Sequence, residues 1–512
     1  MTRTWPLACC AVVVLGPLTV AAQETSLRAD ERLVLEWHGD NRNGQTTDDH
    51  YGLALQRLTL TGSSGALRTS AQIDGELFWD APTADYEDAG RLERVAVEYD
   101  MPLRGGDLTV TTGDFHRQLG RGLVLSLRRV DEVGQDVTLQ GGQLAWSGDT
   151  LDVDVFAGRT NAAEFDAVSQ HAVNDPHDVV AGGAATLRQL TPLQLSLGVF
   201  GMHMRPRESL VPAYGQDHMS ALGASLEGAA PSGIAAFYVE ADWQGRHVAG
   251  DGTMAKALYG TLDLNLGALA VQIEGLWLDD FFVRGSRNSA VGTAFDYAQP
   301  PTLERIDQEV IDNTNTRGGR VRLSYALLDG DLVPYANLMM RQNDPGEDTQ
   351  LDQIHAYGGA EWSYDGGRAR LNLSAGARDE VQDGQTFKAM KHAEGDWLSP
   401  IGGGHALHIS ATHEERRLES KAYRRGSSVA GLEKGGLGAV SVEVGYDTSD
   451  PSDEVRRLFV AGILAWEPTD AITLRSTVGS QRGGLKCVAG VCRDFPEFSG
   501  ARLEIVGRGD LL

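Results

Sequence analysis

Leu193-Gln194-Leu195-Ser196-Leu197-Gly198-Val199 puts an apolar side chain at every odd position and a small or polar one between. An extended backbone sends successive side chains to opposite faces, so this is a strand with one greasy side and one wettable side. The beat returns in Leu262-Asp263-Leu264-Asn265-Leu266, Val321-Arg322-Leu323-Ser324-Tyr325, Leu371-Asn372-Leu373-Ser374-Ala375 and Ile472-Thr473-Leu474-Arg475. Helical periodicity is nearly absent. The runs span about 9–12 residues, longer than the ~5–6 of globular strands and matched to the ~9–11 of a tilted strand crossing a bilayer.

Turn chemistry separates them: Gly62-Ser63-Ser64-Gly65, Gly105-Gly106-Asp107, Gly148-Asp149, Thr191-Pro192, Pro231-Ser232-Gly233, Asp329-Gly330-Asp331, Asp365-Gly366-Gly367 and Pro468-Thr469-Asp470. Tight turns on one side and longer loops on the other are the sequence signature of a membrane barrel. The polar faces carry Asp152, Asp154, Asp263, Arg320, Arg322, Arg370, Asn372, Glu443 and Arg475. A soluble sandwich would turn them to bulk water, a barrel to its lumen. Strand length, the unbroken beat and aromatics near strand ends favour the barrel. Trp37, Phe78, Trp79, Tyr99, Trp146, Phe156, Trp243, Trp277, Phe281, Phe282 and Trp466 suit interfacial girdles. The expectation is an all-β chain, a large transmembrane antiparallel up-and-down barrel of approximately 22–24 strands. Parity is open between Trp397 and Gly436.

Composition bounds the rest. A formal charge of −26 excludes a nucleic-acid partner, whose phosphates need a basic surface. With 41% hydrophobic residues the chain is too apolar for disorder. Residues 1–22 read as a secretory signal: Arg3, an apolar run from Leu7 to Leu18, and Val20-Ala21-Ala22 before the cut. Cys9 and Cys10 lie inside it, too early for a lipid-attachment cysteine. Beyond it no window reaches the ~18 consecutive apolar residues of a membrane helix. The mature protein, residues 23–512, is therefore expected in the outer membrane, with membrane lipid and the barrel insertion machinery as partners.

Local chemistry is sparse. The longest irregular stretch, Phe282 to Gly318 with a helix-like piece from Leu303 to Asp312, is expected to be a surface loop, with a lumen constriction as the alternative. Thr160–Asp178, Arg205–Asp217, Gln342–Gln353 and, if it points outward, Arg417–Lys434 are further long loops. Cys487 and Cys492 bracket Ala489-Gly490, and in an oxidising compartment should form a structural disulfide. Asp40-Asn41-Arg42-Asn43-Gly44 fails the calcium-loop pattern and reads as a solvated turn. His405, His408 and His413 split between the two faces of one strand and do not converge. No HExxH, GxSxG or Walker sequence occurs, so no catalytic residue, metal or cofactor is expected.

The densest polar segment is Gly113-Asp114-Phe115-His116-Arg117-Gln118-Leu119-Gly120-Arg121-Gly122-Leu123, continuing through Ser126, Arg128, Arg129, Asp131 and Glu132 to Asp136. Charges of both signs at this density suit a lumen and not lipid, while the glycines allow sharp bends. Arg117, Arg121, Arg128, Arg129, Asp131, Glu132 and Asp136 are the candidates for a lumen constriction; a salt-bridge network that fills the barrel is the structural alternative.

This segment, with Gly141-Gly142 and the C-terminal Gly479-Ser480-Gln481-Arg482-Gly483-Gly484 with its paired cysteines, resembles a family of outer-membrane barrels of unknown function. More weakly, it is similar to the porin and alginate-export class. The resemblance implies a barrel and carries no substrate. Chains of this class resemble one another in ending on a lipid-facing strand with a terminal aromatic; this one ends in Leu512. The functional expectation is a porin-like passive channel for small polar solutes, with mild cation preference if the acidic excess lines the pore. The alternatives are a side-chain-filled structural or binding barrel at the cell surface and, further off, a barrel-rim hydrolase.

Overall fold

The computed structural model describes residues 25–83, 86–166, 168–190, 193–207, 216–248, 251–287, 294–305, 313–450, 455–488 and 491–512. Residues 1–22, the Thr191-Pro192 turn, most of Arg205–Asp217 and most of Leu303–Asp312 lie outside the described residues. Among those described run 24 long antiparallel strands, from Thr25–His38 to Phe498–Asp510, each paired with the next along the chain. The first and last strands pair over their length, with Leu33 opposite Ile505 and Trp37 opposite Ala501. Closure leaves no unpaired strand edge in the described wall, which a hydrocarbon environment requires.

The outer face is apolar. In Leu195–Arg205, Leu197 and Val199 are 42% and 50% exposed, whereas Phe200, Met202 and Met204 are buried inside. Leu144, Val155, Leu222, Val239, Leu323 and Val442 are likewise exposed on the outside. So large an apolar surface is stable only against lipid. Val199 sits midway along its strand, so Val199→Arg should lower the unfolding free energy in lipid vesicles by about 2–4 kcal/mol, read by denaturant titration. A loss under about 1 kcal/mol would place this face outside hydrocarbon.

At one end the connections are tight, as at Gly65-Ala66, Gly148–Leu151 and Leu266–Leu269. At the other end the chain makes its long crossings, residues 39–50, 116–134, 163–178, 280–315 and 482–497. Two connections at that end are nevertheless tight among the described residues. Asp383 and Gly384 both take positive φ, 52° and 72°, the two-residue turn whose twist suits a hairpin. The next hairpin turns at Glu419-Ser420, so Arg417–Lys434 is not a loop: Lys421–Lys434 is a wall strand paired with His405–Leu418. This settles the open parity.

The interior is not purely polar. The chain leaves the wall after Phe115, folds inward as the small hairpin Arg117–Leu119/Leu125–Leu127, and buries Leu119, Leu123, Val124, Leu125 and Leu127. The crossing after Asp279 also enters the lumen, burying Phe281, Val283, Phe295, Tyr297 and Leu303. The expected surface loop is thus, in its described residues, a lumen element. Both pack on inward wall residues Phe156, Phe200, Met202, Met219, Tyr238, Tyr259 and Leu276 to form one apolar core within the barrel. Each fully buried Leu or Phe contributes about 1.5–3 kcal/mol, enough to hold loops that sequence alone would leave outside. Phe156, Phe281 and Phe282 therefore belong to this core side and not to a girdle, whereas Trp37, Trp79, Tyr99, Trp243, Trp277 and Trp466 do face outward.

Candidate functional site in the barrel lumen

The glycines of the dense polar segment explain its path. Gly120 has φ of 56°, and a Cβ there would lie 2.2 Å from Glu240 Oε1, so only glycine lets the hairpin tip rest on the wall strand Ala235–Val248. From that tip the Arg121 N–H donates to Glu240 Oε2 at 2.8 Å, and the Arg121 guanidinium lies 4.4 Å from the Tyr238 ring. Arg117 pairs with Asp154 at 2.7 Å over the Phe156 ring. Arg128 donates to Gln299 of the second inward segment. These three arginines tie the inner hairpin to its surroundings.

The remaining candidates gather elsewhere. Asp136 accepts from Arg94 at 2.5 Å and lies 2.9 Å from His116 Nε2, while Arg129 pairs with Asp131 at 2.5 Å. Asp131 and Glu132 are exposed on the short turn Asp131–Val133. The seven residues thus form two groups, Arg117, Arg121 and Arg128 on or beside the inner hairpin and Arg129, Asp131, Glu132 and Asp136 just after it.

Two chambers adjoin this second group. One of about 510 Å³ is bordered by Arg32, Glu36, Arg57, Glu443, Lys486 and Glu504, among others. Another of about 370 Å³ is bordered by Asp136, Phe282, Asp296, Pro300 and Arg493. Gly134 and Phe165 border both, so the two chambers adjoin there. Asp131 faces the larger chamber and Asp136 the smaller. The larger chamber's wall charges are mostly matched: Arg57 with Asp74 at 2.6 Å, Arg32 with Glu504 at 2.6 Å, Arg502 with Glu36 at 2.7 Å. Such pairing keeps a crowded charged wall from repelling itself.

The sequence placed the disulfide but not the position of the element that carries it, which borders these spaces. Gly484–Val488 and Val491–Phe495 form a small hairpin closed by the Cys487–Cys492 disulfide. It lies inside and not above the barrel. Arg493 borders the smaller chamber, Lys486 and Phe495 the larger, and Leu485 a third of about 250 Å³ beside Arg378, Arg416 and Arg425. Arg493 anchors it to Asp166 at 2.5 Å. The sequence signal was present, since a stapled loop carrying Lys486 and Arg493 is built to hold a shape, but nothing local told which way it points.

Just beyond the hairpin, burial pushes the Glu497 carboxyl up to about 7 against the nearby Arg456, with Asp447 adding to the shift. A carboxyl whose folded-state pKa is raised favours the fold while it is protonated. That contribution is complete below the ordinary Glu range and is lost as pH rises through about 7. Thermal melting should therefore fall between mildly acid and mildly alkaline pH, and Glu497→Gln should flatten this slope. An unchanged slope in the variant would assign the effect to another group.

Asp178 ties the inward elements together. Fully buried, it accepts from the Arg207 and Ser286 N–H groups at 2.8 Å each, from the Ser286 hydroxyl, and from the Tyr297 hydroxyl at 2.7 Å. Burial and this carboxylate together push the Tyr297 phenol well above its usual value, so it stays a donor. His405, His408 and His413 do not meet: His408 pairs with Asp396 at 2.7 Å, His405 contacts the Gly402 carbonyl, and His413 contacts Tyr446. Among the described residues no group of three or more His, Cys, Asp or Glu could hold a metal ion.

No protein-family model matches the chain, and no curated protein does. Among solved structures it is similar to the E. coli P pilus tip assembly intermediate PapC-PapD-PapK-PapG, with 10% identity over 97% of this chain and 62% of that one, TM-score 0.52. It is also similar to the siderophore receptor PirA of Pseudomonas aeruginosa, with 8% identity over 96% and 81% of the two chains, TM-score 0.45. OccK5 (OpdH) of Pseudomonas aeruginosa shows 11% identity over 71% of this chain and 94% of that one, TM-score 0.40. The chain is a closed, 24-strand β-barrel of the outer-membrane kind.

Proposed function

We propose that the protein is a porin-like passive channel for small polar solutes, narrowed by segments folded into its lumen. The observation that carries this reading is the pair of adjoining charged chambers, about 510 and 370 Å³, inside a closed wall whose outside is apolar. Charged and hydrogen-bonding walls replace part of a solute's hydration shell, which lets polar molecules pass. In this reading Arg117, Arg121 and Arg128 brace the inner hairpin. Arg129, Asp131, Glu132 and Asp136 shape the constriction where the chambers adjoin. The acidic excess of the chain favours cations over anions. Export by the signal segment and folding by the barrel insertion machinery belong to the same proposal.

Planar-bilayer recording on the purified barrel tests it: steady, weakly cation-selective conductance is expected, together with swelling of liposomes in small sugars. Failure of both would overturn it. The second reading, a filled barrel that docks a partner at the cell surface, draws support from the apolar core inside the wall. It predicts no conductance in the native protein or in a variant lacking the disulfide hairpin.

A further inference from the structure

The wall strand Ala235–Val248 departs from the pattern of its neighbours. Its outward side is apolar, with Val239 and Trp243 exposed. Its inward side carries Tyr238, Glu240, Asp242, Gln244 and Arg246 at successive alternate positions, none more than 7% exposed. The strands on either side present small apolar residues to the middle of this row. Gln244 is paired with Ala221 on one side and Ala255 on the other, and Asp242 with Gly223 and Ala257. A polar ladder is thus folded against the apolar core and not against open solvent.

Part of the ladder is satisfied by protein. The Tyr238 hydroxyl joins the Arg121 N–H in donating to Glu240 Oε2. Gln244 Nε2 donates to the Phe282 carbonyl at 2.7 Å, and Arg246 Nη2 reaches Asp280 at 2.6 Å with its guanidinium 4.0 Å from the Phe282 ring. The rest is not. Glu240 Oε1, both Asp242 oxygens, Gln244 Oε1, and Arg246 Nε and Nη1 are buried with no hydrogen-bond partner among the described residues. The Glu240 and Asp242 carboxyls face each other, but two carboxyls bond only through a hydrogen that one of them carries. Such a bond would still leave the Gln244 oxygen and the Arg246 nitrogens unmet. Rungs on one face of a strand stand about 7 Å apart, a span that one or two waters bridge. Water is what ordinarily meets buried polar atoms that the protein leaves alone.

The ladder also reaches toward both ends of the barrel. At the long-loop end Asp280, the partner of Arg246, has a side chain 64% exposed. At the other end Tyr238 and Arg121 border a recess of about 280 Å³ together with Gln194, Glu227 and Asp263. From Tyr238 to Arg246 the strand runs about 26 Å, against ~25 Å for the apolar band of a membrane barrel. None of the five rungs borders either charged chamber.

We propose that the inward face of Ala235–Val248 holds a file of water bonded to Glu240, Asp242, Gln244 and Arg246, and that this file is a water path through the barrel, separate from the charged chambers. Ala221, Ala255 and Ala257 supply its room, since larger side chains there would cover the unmet atoms. Ions are turned back by the fixed charges. Arg246 repels cations at one end and Arg121 at the other, while the Glu240–Asp242 pair repels anions between them. Water carries no charge and passes by exchanging one hydrogen-bond partner for the next. The path does not rest on the solute-channel reading, because it needs neither chamber to be open.

Osmotic shrinkage of proteoliposomes carrying the full-length barrel, followed by stopped-flow light scattering, tests the path, with ionic conductance of the same preparation recorded in planar bilayers. Water permeability above that of protein-free vesicles is expected. Asp242→Leu and Gln244→Leu, each replacing a rung with an apolar side chain of similar size, should lower it about twofold and leave conductance unchanged. Asp242→Asn keeps a polar rung and should retain the native permeability. Heat-modifiable migration on gels identifies the variants that fold. Permeability unchanged in both leucine variants, or lost equally in Asp242→Asn and Asp242→Leu, would overturn the proposal. A high-resolution structure of the native barrel decides the file whether or not the variants fold. Ordered waters between Asp242 and Arg246 are expected there, and a dry ladder or a bound metal ion would overturn the path. Water flow without conductance counts against the solute channel and leaves the file standing; conductance without rung-dependent water flow does the reverse.

Discussion

Replacing residues 485–494 with a short glycine-serine turn is expected to raise single-channel conductance roughly threefold, since the narrowest part of a pore sets its resistance. The disulfide hairpin borders chambers of about 510, 370 and 250 Å³, so its removal merges spaces that it now divides. The wall does not depend on it. Gln481 of Ile472–Gln481 pairs directly with Phe498 of Phe498–Asp510, so the hairpin is an inserted segment that leaves this strand pair intact. Its strongest anchor to the other loops is the Arg493–Asp166 pair, and Arg493→Ala should give a smaller increase in the same direction. Conductance unchanged after excision would mean that solutes take another path or none. A loss of barrel folding, seen as loss of heat-modifiable migration on gels, is not expected because no wall contact is removed.

Asp178→Ala should cost about 3–5 kcal/mol of unfolding free energy, the penalty for stripping a buried anion from the donors gathered on it. The Arg207 and Ser286 N–H groups and the Tyr297 hydroxyl would each lose the carboxylate that now accepts from them in the interior. Because these donors come from two crossings and Asp178 ends a third, the variant should also loosen the inward core and become sensitive to protease in the loops while the wall survives. Tyr297→Phe removes one donor together with its demand, and should cost only about 1 kcal/mol. Denaturant titration in lipid vesicles, with limited proteolysis in parallel, separates the two. A cost for Asp178→Ala as small as that for Tyr297→Phe would show that the hub does not hold the inner segments.

The wall was legible because lipid and water impose opposite demands on adjacent residues. Leu197 and Val199 face out while Gly198 does not, and one residue of slippage would reverse every side chain, so the alternation announces itself. The pairing of Leu33–Trp37 with Leu503 and its neighbours followed from the same logic, since a wide sheet in hydrocarbon must close on itself. The disulfide was legible too, from compartment and spacing. The lumen segments were not. Leu123, Leu125 and Leu127 alternate like any strand, and nothing within Phe281 to Leu303 distinguishes a crossing that dips inward from one that lies on the surface.

The antiparallel barrel, its apolar outside and its approximate size were written into the chain, because period two and strand length are local properties that the membrane reads one residue at a time. What occupies the lumen emerged from the folding of distant segments onto one another. Phe200 and Met202 become core because Leu119 and Phe295 arrive from elsewhere to cover them, and His355 meets His392 because Gly376 lies opposite both Tyr357 and His392 in the intervening strand's register. Those encounters depend on strand order and closure across dozens of residues, and no short stretch of chain contains them.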